Sequence, residues 1–111
     1  MKTTIFVTFQ IEGTHQWAEC PFPDVDFLTD IHRHIFHFRC EKEVFHDDRD
    51  VEFIRFKREV MEYLRTKYYD GECLKFVKMS CEMIAKELLE KFDLTKCEVS
   101  EDNENGAIVY K

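Results

Sequence analysis

Glycine occurs three times and proline twice in 111 residues, which leaves little material for linkers, low-complexity tracts or a chain that stays unfolded. Basic residues are also short. Sixteen Lys and Arg stand against 23 Asp and Glu, a formal charge of −7, which disfavours nucleic acid, since a phosphate backbone is bound largely by neutralising it with Lys and Arg. No apolar run approaches the length needed to cross a bilayer, so no membrane partner is expected. The N-terminal stretch MKTTIFVTFQIEG alternates polar and apolar residues where a signal peptide needs an unbroken apolar segment. The five cysteines, Cys20, Cys40, Cys73, Cys81 and Cys97, are odd in number and never spaced as CxxC, which fits neither a disulfide framework nor a thiolate zinc site. A reducing, cytoplasmic setting is the expectation.

What remains is rich in core-forming residues: 44% of the chain is apolar and 14% aromatic. One domain spanning residues 1–111 is expected, with no internal repeat or linker to divide it. Residues 3–11 read as a strand, with Ile5, Val7, Phe9 and Ile11 alternating with Thr4, Phe6, Thr8 and Gln10. Residues 13–30 read as a long loop holding Pro21 and Pro23, and loops of that length in a small domain tend to carry function. A second strand is expected over residues 31–45. Helix one follows an N-cap among Asp47, Asp48 and Asp50, with Phe53, Phe56, Val60 and Leu64 at helical spacing. Helix two starts from Ser80 as N-cap and has Cys81, Ile84, Ala85, Leu88, Leu89 and Phe92 on its apolar stripe. Residues 96–101 and 107–110 read as two short strands turned by Asn105-Gly106. The order β-β-α-α-β-β implies an α+β fold, a four-stranded antiparallel sheet with two helices on one face.

All five histidines fall between His15 and His46. Strand parity puts His32 and His34 on one face, about 7 Å apart along the chain and able to converge on one ion. His15, near the end of strand one, is the natural third ligand. Three imidazoles leave a coordination position open, the arrangement of a catalytic metal, with Zn2+ the default and other divalent ions admitted by the all-nitrogen set. An HxH pair alone also suits an ordinary half-buried strand. His37 falls on the opposite face and His46 lies too far along the strand to join.

These residues carry a resemblance. Phe9 with His15, His32-Arg33-His34 with Phe36, Val51-Glu52-Phe53 with Phe56-Lys57, Ser80 with Glu82 and Ile84-Ala85, and Val99 with Glu101 follow an order similar to that of the 6-pyruvoyl-tetrahydropterin synthase and 6-carboxytetrahydropterin synthase family. The likeness spans nearly the whole chain. It implies the tunnelling fold, assembly through sheet edges into a barrel or hexamer, a pterin-type substrate such as dihydroneopterin triphosphate, and zinc held by His15, His32 and His34. It also implies that Glu101 anchors the pterin ring. A carboxylate there accepts two parallel N–H donors from a 2-amino-4-oxopyrimidine edge, and so would equally read a purine or deazaguanine. Glu82, at the acid of the family's Pro-Thr-x-Glu-Asn-Leu-Ala segment, is by the same resemblance a second ligand-binding candidate, and it also suits a helix N-terminus as an ordinary acidic residue.

The chain departs from the family where the chemistry is done. The family's catalytic cysteine, four residues before the paired histidines, is replaced by Leu28, and the family's His after helix one has no counterpart beyond His46. If the chain is a carbon–oxygen lyase of this type, its proton carrier has to be sought in the long loop, where Cys20, Asp26 and Asp30 are the candidates beside Asp24. If it is a binder, the same pocket retains a pterin- or purine-like ligand without turnover.

Overall fold

A computed structural model describes residues 1–111. β1 (Thr3–His15) and β2 (His32–Val44) are antiparallel and pair over their full lengths, from Thr3 opposite Val44 to His15 opposite His32. Alternation turns Val7 of β1, and Phe36, Phe38 and Cys40 of β2, into the core. β4 (Lys96–Glu101) pairs with β2, and β5 (Asn105–Tyr110) pairs with β4, both antiparallel. α1 (Phe53–Tyr68) and α2 (Cys81–Phe92) bring Phe56, Val60, Leu64, Ile84, Ala85 and Leu88 into the same cluster. The fold is α+β.

The sheet has five strands where four were expected. Its order is β3-β1-β2-β4-β5, the addition being β3 (Leu74–Lys75), which runs parallel to β1 at Gly13 and Thr14. Two residues are too few to show a periodicity. β1 also runs four residues beyond the expected end at residue 11, straight through Gly13. A Cβ at Gly13 would stand 3.0 Å from both the Leu74 carbonyl oxygen and the Phe36 ring, so the glycine admits β3 and Phe36 to the strand rather than ending it. The expected loop over residues 13–30 is shorter than read and contains 3-10 turns over Pro23–Thr29, kinked at Val25 (φ −130°), with Pro23 at the first position.

Two local expectations need correction. The cap of α1 is Glu52, whose carboxylate accepts from the N–H groups of Ile54 and Arg55 at 3.0 and 3.1 Å, while Asp50 instead accepts from the Phe45 N–H at 2.8 Å. The turn between β4 and β5 is built on Asp102 and Asn103, both left-handed at φ 54° and 58°, and Asn105-Gly106 already belongs to β5. Gly106 lies opposite Ser100, and a Cβ there would collide with the backbone of Val99 and Ser100. The cap of α2 is Ser80, as the sequence indicates, with its hydroxyl accepting from Met83 N–H at 3.2 Å.

The two α-helices are joined through one carboxylate. Glu87 of α2 accepts from Tyr68 Oη at 2.7 Å, Lys67 Nζ at 3.0 Å and Tyr63 Oη at 3.1 Å, all on α1. Burial draws its pKa upward, but the hydrogen bonds from Tyr68, Lys67 and Tyr63 outweigh burial and hold it below the ordinary glutamate value. A carboxylate with a depressed folded pKa stabilises the protein above its unfolded value, and that contribution disappears as the pH falls through the folded one. Glu87→Gln is therefore expected to cost about 1–3 kcal/mol at neutral pH. In urea unfolding, the gap between parent and variant should close as the pH is lowered into the carboxylate range; a gap independent of pH would rule out this role.

Candidate metal centre

The register of β1 and β2 makes His15 and His32 direct cross-strand partners, and His34 follows two residues along β2 on the same face. Their ring centroids stand 4.6 Å (His15 to His32), 5.0 Å (His32 to His34) and 5.4 Å (His15 to His34) apart, with planes at 71–85° to one another. β4 supplies a fourth group, because Glu101 pairs with Phe36 across β2 and shares the inward face. One donor atom from each of His15, His32, His34 and Glu101 lies within 4.8 Å of all the others. Beneath them, the Phe36 ring meets His15 and His34 edge-on at 5.2 and 5.8 Å, giving the cluster an apolar floor.

Each imidazole is fixed from behind. Nδ1 of His15 faces the Met79 carbonyl oxygen at 2.8 Å, Nδ1 of His32 faces the Asp30 carbonyl oxygen at 2.8 Å, and Nδ1 of His34 faces Asp102 Oδ2 at 2.7 Å. All three partners are acceptors, so Nδ1 carries the proton in each ring. This turns Nε2 of His32 and His34 to the shared space as a lone pair, while Nε2 of His15 points there too but donates its proton to Glu101. Nε2 of His34 is buried with no hydrogen-bond partner. An orphaned lone pair among three convergent nitrogens and a carboxylate oxygen fits a divalent cation, and nitrogen with oxygen donation admits zinc among several first-row metals.

Glu101 and His15 form an ion pair, with Nε2 to Oε1 at 2.9 Å, and Glu101 Oε2 lies 3.4 Å from His34 Nε2. The hydrogen bond from His15 holds the Glu101 carboxyl below its ordinary value despite burial, helped by the charges of His34, His15 and His32. Burial alone would push His15 down. The Glu101 hydrogen bond, the Met79 carbonyl and the Glu101 charge more than reverse this, and the His15 pKa is raised.

Beside the cluster opens a cavity of about 510 Å³ whose lining includes Trp17, Leu28, Met79, Cys81, Glu82 and Glu101. Of the residues singled out in the sequence, the structure brings together His15, His32, His34 and Glu101, and sets exposed Glu82 in the cavity lining. The side chains of Cys20, Asp26 and Asp30 lie outside that lining. Cys20 Sγ instead lies against the carbonyl oxygens of Phe22 and Val25, Asp26 offers its carbonyl to Thr29 Oγ1 at 2.7 Å, and Asp30 meets the site through its backbone oxygen. The thiol that does reach the cavity is Cys81, 3.9 Å from Glu101 Oε1. Burial, followed by the charges of Glu101 and Glu82, pushes its pKa up to about 12. Sequence reading passed over Cys81 and Asp102 because one is an ordinary stripe residue of α2 and the other a turn residue. The β2–β4 register places Asp102 at the site, and the packing of α2 on β4 places Cys81 there.

No family model matches the chain, and no curated protein matches it. Its fold has a solved counterpart. The crystal structure of the uncharacterized protein WS1659 from Wolinella succinogenes matches it with a TM-score of 0.69 at 16% identity, over 100% of this chain and 99% of that one. At that identity the likeness bears on the fold alone. No helix is long and apolar enough to cross a membrane.

Dialysis against zinc followed by elemental analysis is expected to leave one ion per chain in the parent and none in a His32→Ala, His34→Ala variant that keeps its circular dichroism spectrum. A parent that emerges without metal would refute the site.

Proposed function

We propose that the chain is a divergent tunnelling-fold protein, similar to the 6-pyruvoyl-tetrahydropterin and 6-carboxytetrahydropterin synthases, that acts on a pterin-type substrate at a zinc ion held by His15, His32 and His34. The observation that carries this reading is the convergence of three Nε2 atoms, each ring oriented by its own Nδ1 acceptor, at the edge of a cavity of about 510 Å³. That volume is in the range of small-molecule sites. A bound zinc would polarise a substrate oxygen and acidify the neighbouring C–H or O–H.

The chain's own groups divide the remaining work. Trp17, Leu28 and Met79 give the cavity apolar walls on which a flat heterocycle would pack. Glu101 is the carboxylate placed to accept the paired N–H donors of a pterin or purine edge once it leaves His15. Cys81 is the one thiol in the lining and Glu82 its exposed acid. In the same reading, copies of the chain join in a ring. The free edge of β5 and most of the β3-side edge of β1 have no strand beside them, and unpaired edges of that length are normally covered.

A second reading is favoured by one residue. Leu28 lines the cavity where the resembled enzymes carry their catalytic cysteine, so the pocket offers an apolar wall in place of a nucleophile or base, as suits a protein that retains a pterin-, purine- or deazaguanine-like ligand without converting it. Incubating the zinc-loaded protein with dihydroneopterin triphosphate and analysing products by mass spectrometry separates the two. Product that depends on His32 and His34 is the expected result. Saturable binding with no product after prolonged incubation would establish the binder instead, and neither binding nor product would overturn both.

A further inference from the structure

Asp102 is the first residue of the β4–β5 turn and adopts φ 54°. Its carboxylate is fully committed: Oδ2 faces His34 Nδ1 at 2.7 Å and Oδ1 accepts from the Ile35 N–H at 2.9 Å. Its own N–H donates to the Ile35 carbonyl oxygen at 2.8 Å. Three bonds thus tie the turn to β2, one at His34 and two at Ile35. The other two imidazoles rest on neutral backbone carbonyls, Met79 and Asp30. His34 alone has a carboxylate behind it, and a charge-assisted acceptor strengthens the donor power of the opposite ring nitrogen.

We propose that Asp102 is a positioning residue for the metal centre: by holding the proton on His34 Nδ1 it keeps the buried Nε2 lone pair aimed at the ion and makes His34 the strongest of the three nitrogen donors. The inference rests on the metal reading above. Its physical content lies in what an asparagine cannot do. If the asparagine oxygen keeps the Ile35 N–H, its NH2 group faces Nδ1, stabilises the tautomer protonated on Nε2, and directs a proton where the metal belongs. If the amide is flipped, NH2 faces N–H. Asparagine keeps the left-handed turn and the shape of the side chain, so it alters the proton and little else. Glycine also keeps the turn, but removes the side chain and leaves His34 Nδ1 free to donate to water.

A purely structural role and a proton-positioning role therefore rank two variants in opposite orders. If Asp102 merely braces the turn, Asp102→Gly, which loses both side-chain bonds, should harm metal binding more than isosteric Asp102→Asn. If it sets the tautomer, Asp102→Asn should be the worse. The test is cobalt(II) affinity by competition with a chromophoric chelator, read together with the cobalt visible absorption bands, for parent, Asp102→Asn and Asp102→Gly, each checked for folding by circular dichroism. The expected result is a loss of 10–100-fold in Asp102→Asn, the range found for partners behind metal-bound histidines, with a smaller loss in Asp102→Gly and cobalt bands shifted in Asp102→Asn. Parent-like affinity in Asp102→Asn, or a larger loss in Asp102→Gly, would overturn the proposal while leaving the metal site standing. Should Asp102→Asn fail to fold, parent-like affinity in Asp102→Gly would overturn it equally. A parent that binds no cobalt would remove the metal reading itself.

Discussion

The site depends on the register between β1 and β2. Thirteen consecutive pairs bring His15 opposite His32, and the same register points Phe36, Phe38 and Cys40 into the core under the two helices. Slipping one strand by a single residue would send its inward set to solvent. Fully burying a side chain such as Phe36 is worth roughly 1.5–3 kcal/mol, so several such groups on one strand far outweigh any preference among the histidines. The imidazoles therefore do not choose their positions. They are carried to the rim of the sheet by a register that the apolar residues below them enforce, and the orphaned Nε2 of His34 is tolerated because the core keeps it there.

That division explains what could be read beforehand. Period-two alternation announces β1 and β2, the stripe from Cys81 to Phe92 with Ser80 ahead of it announces α2, and parity alone separates His32 and His34 from His37. These signals are local. Glu52 as a cap was hidden by three nearby aspartates that look better placed, one of which, Asp50, is taken by Phe45 N–H. Asn105-Gly106 resembles a hairpin turn, yet Asp102 and Asn103 take the left-handed positions, and Gly106 is required by its close approach to Val99 and Ser100. β3 has no pattern because it has two residues. Asp102 and Cys81 reach the site only through pairings between β2, β4 and α2, more than sixty residues from His15 in the case of Cys81, and no spacing rule within a segment encodes them.

Glu101 is where geometry and chemistry meet most closely. Its carboxylate is held by His15 and faces His34, and its low pKa comes first from the His15 hydrogen bond. A metal taken by the three Nε2 atoms would remove that bond, since His15 Nε2, which now donates to Glu101, must give up its proton to hold the ion. The carboxylate then has two places to go. Joined to the metal it completes a four-donor shell, which closes the ion to substrate in the manner of a structural site. Turned toward the cavity it leaves the ion open and presents an anionic, bidentate acceptor to a flat heterocycle. One side chain cannot serve both ends at once, so in the proposed reading the position of Glu101 would couple the openness of a bound ion to recognition of the ring: a ligand with paired N–H donors would draw Glu101 away from the ion and leave that coordination position open.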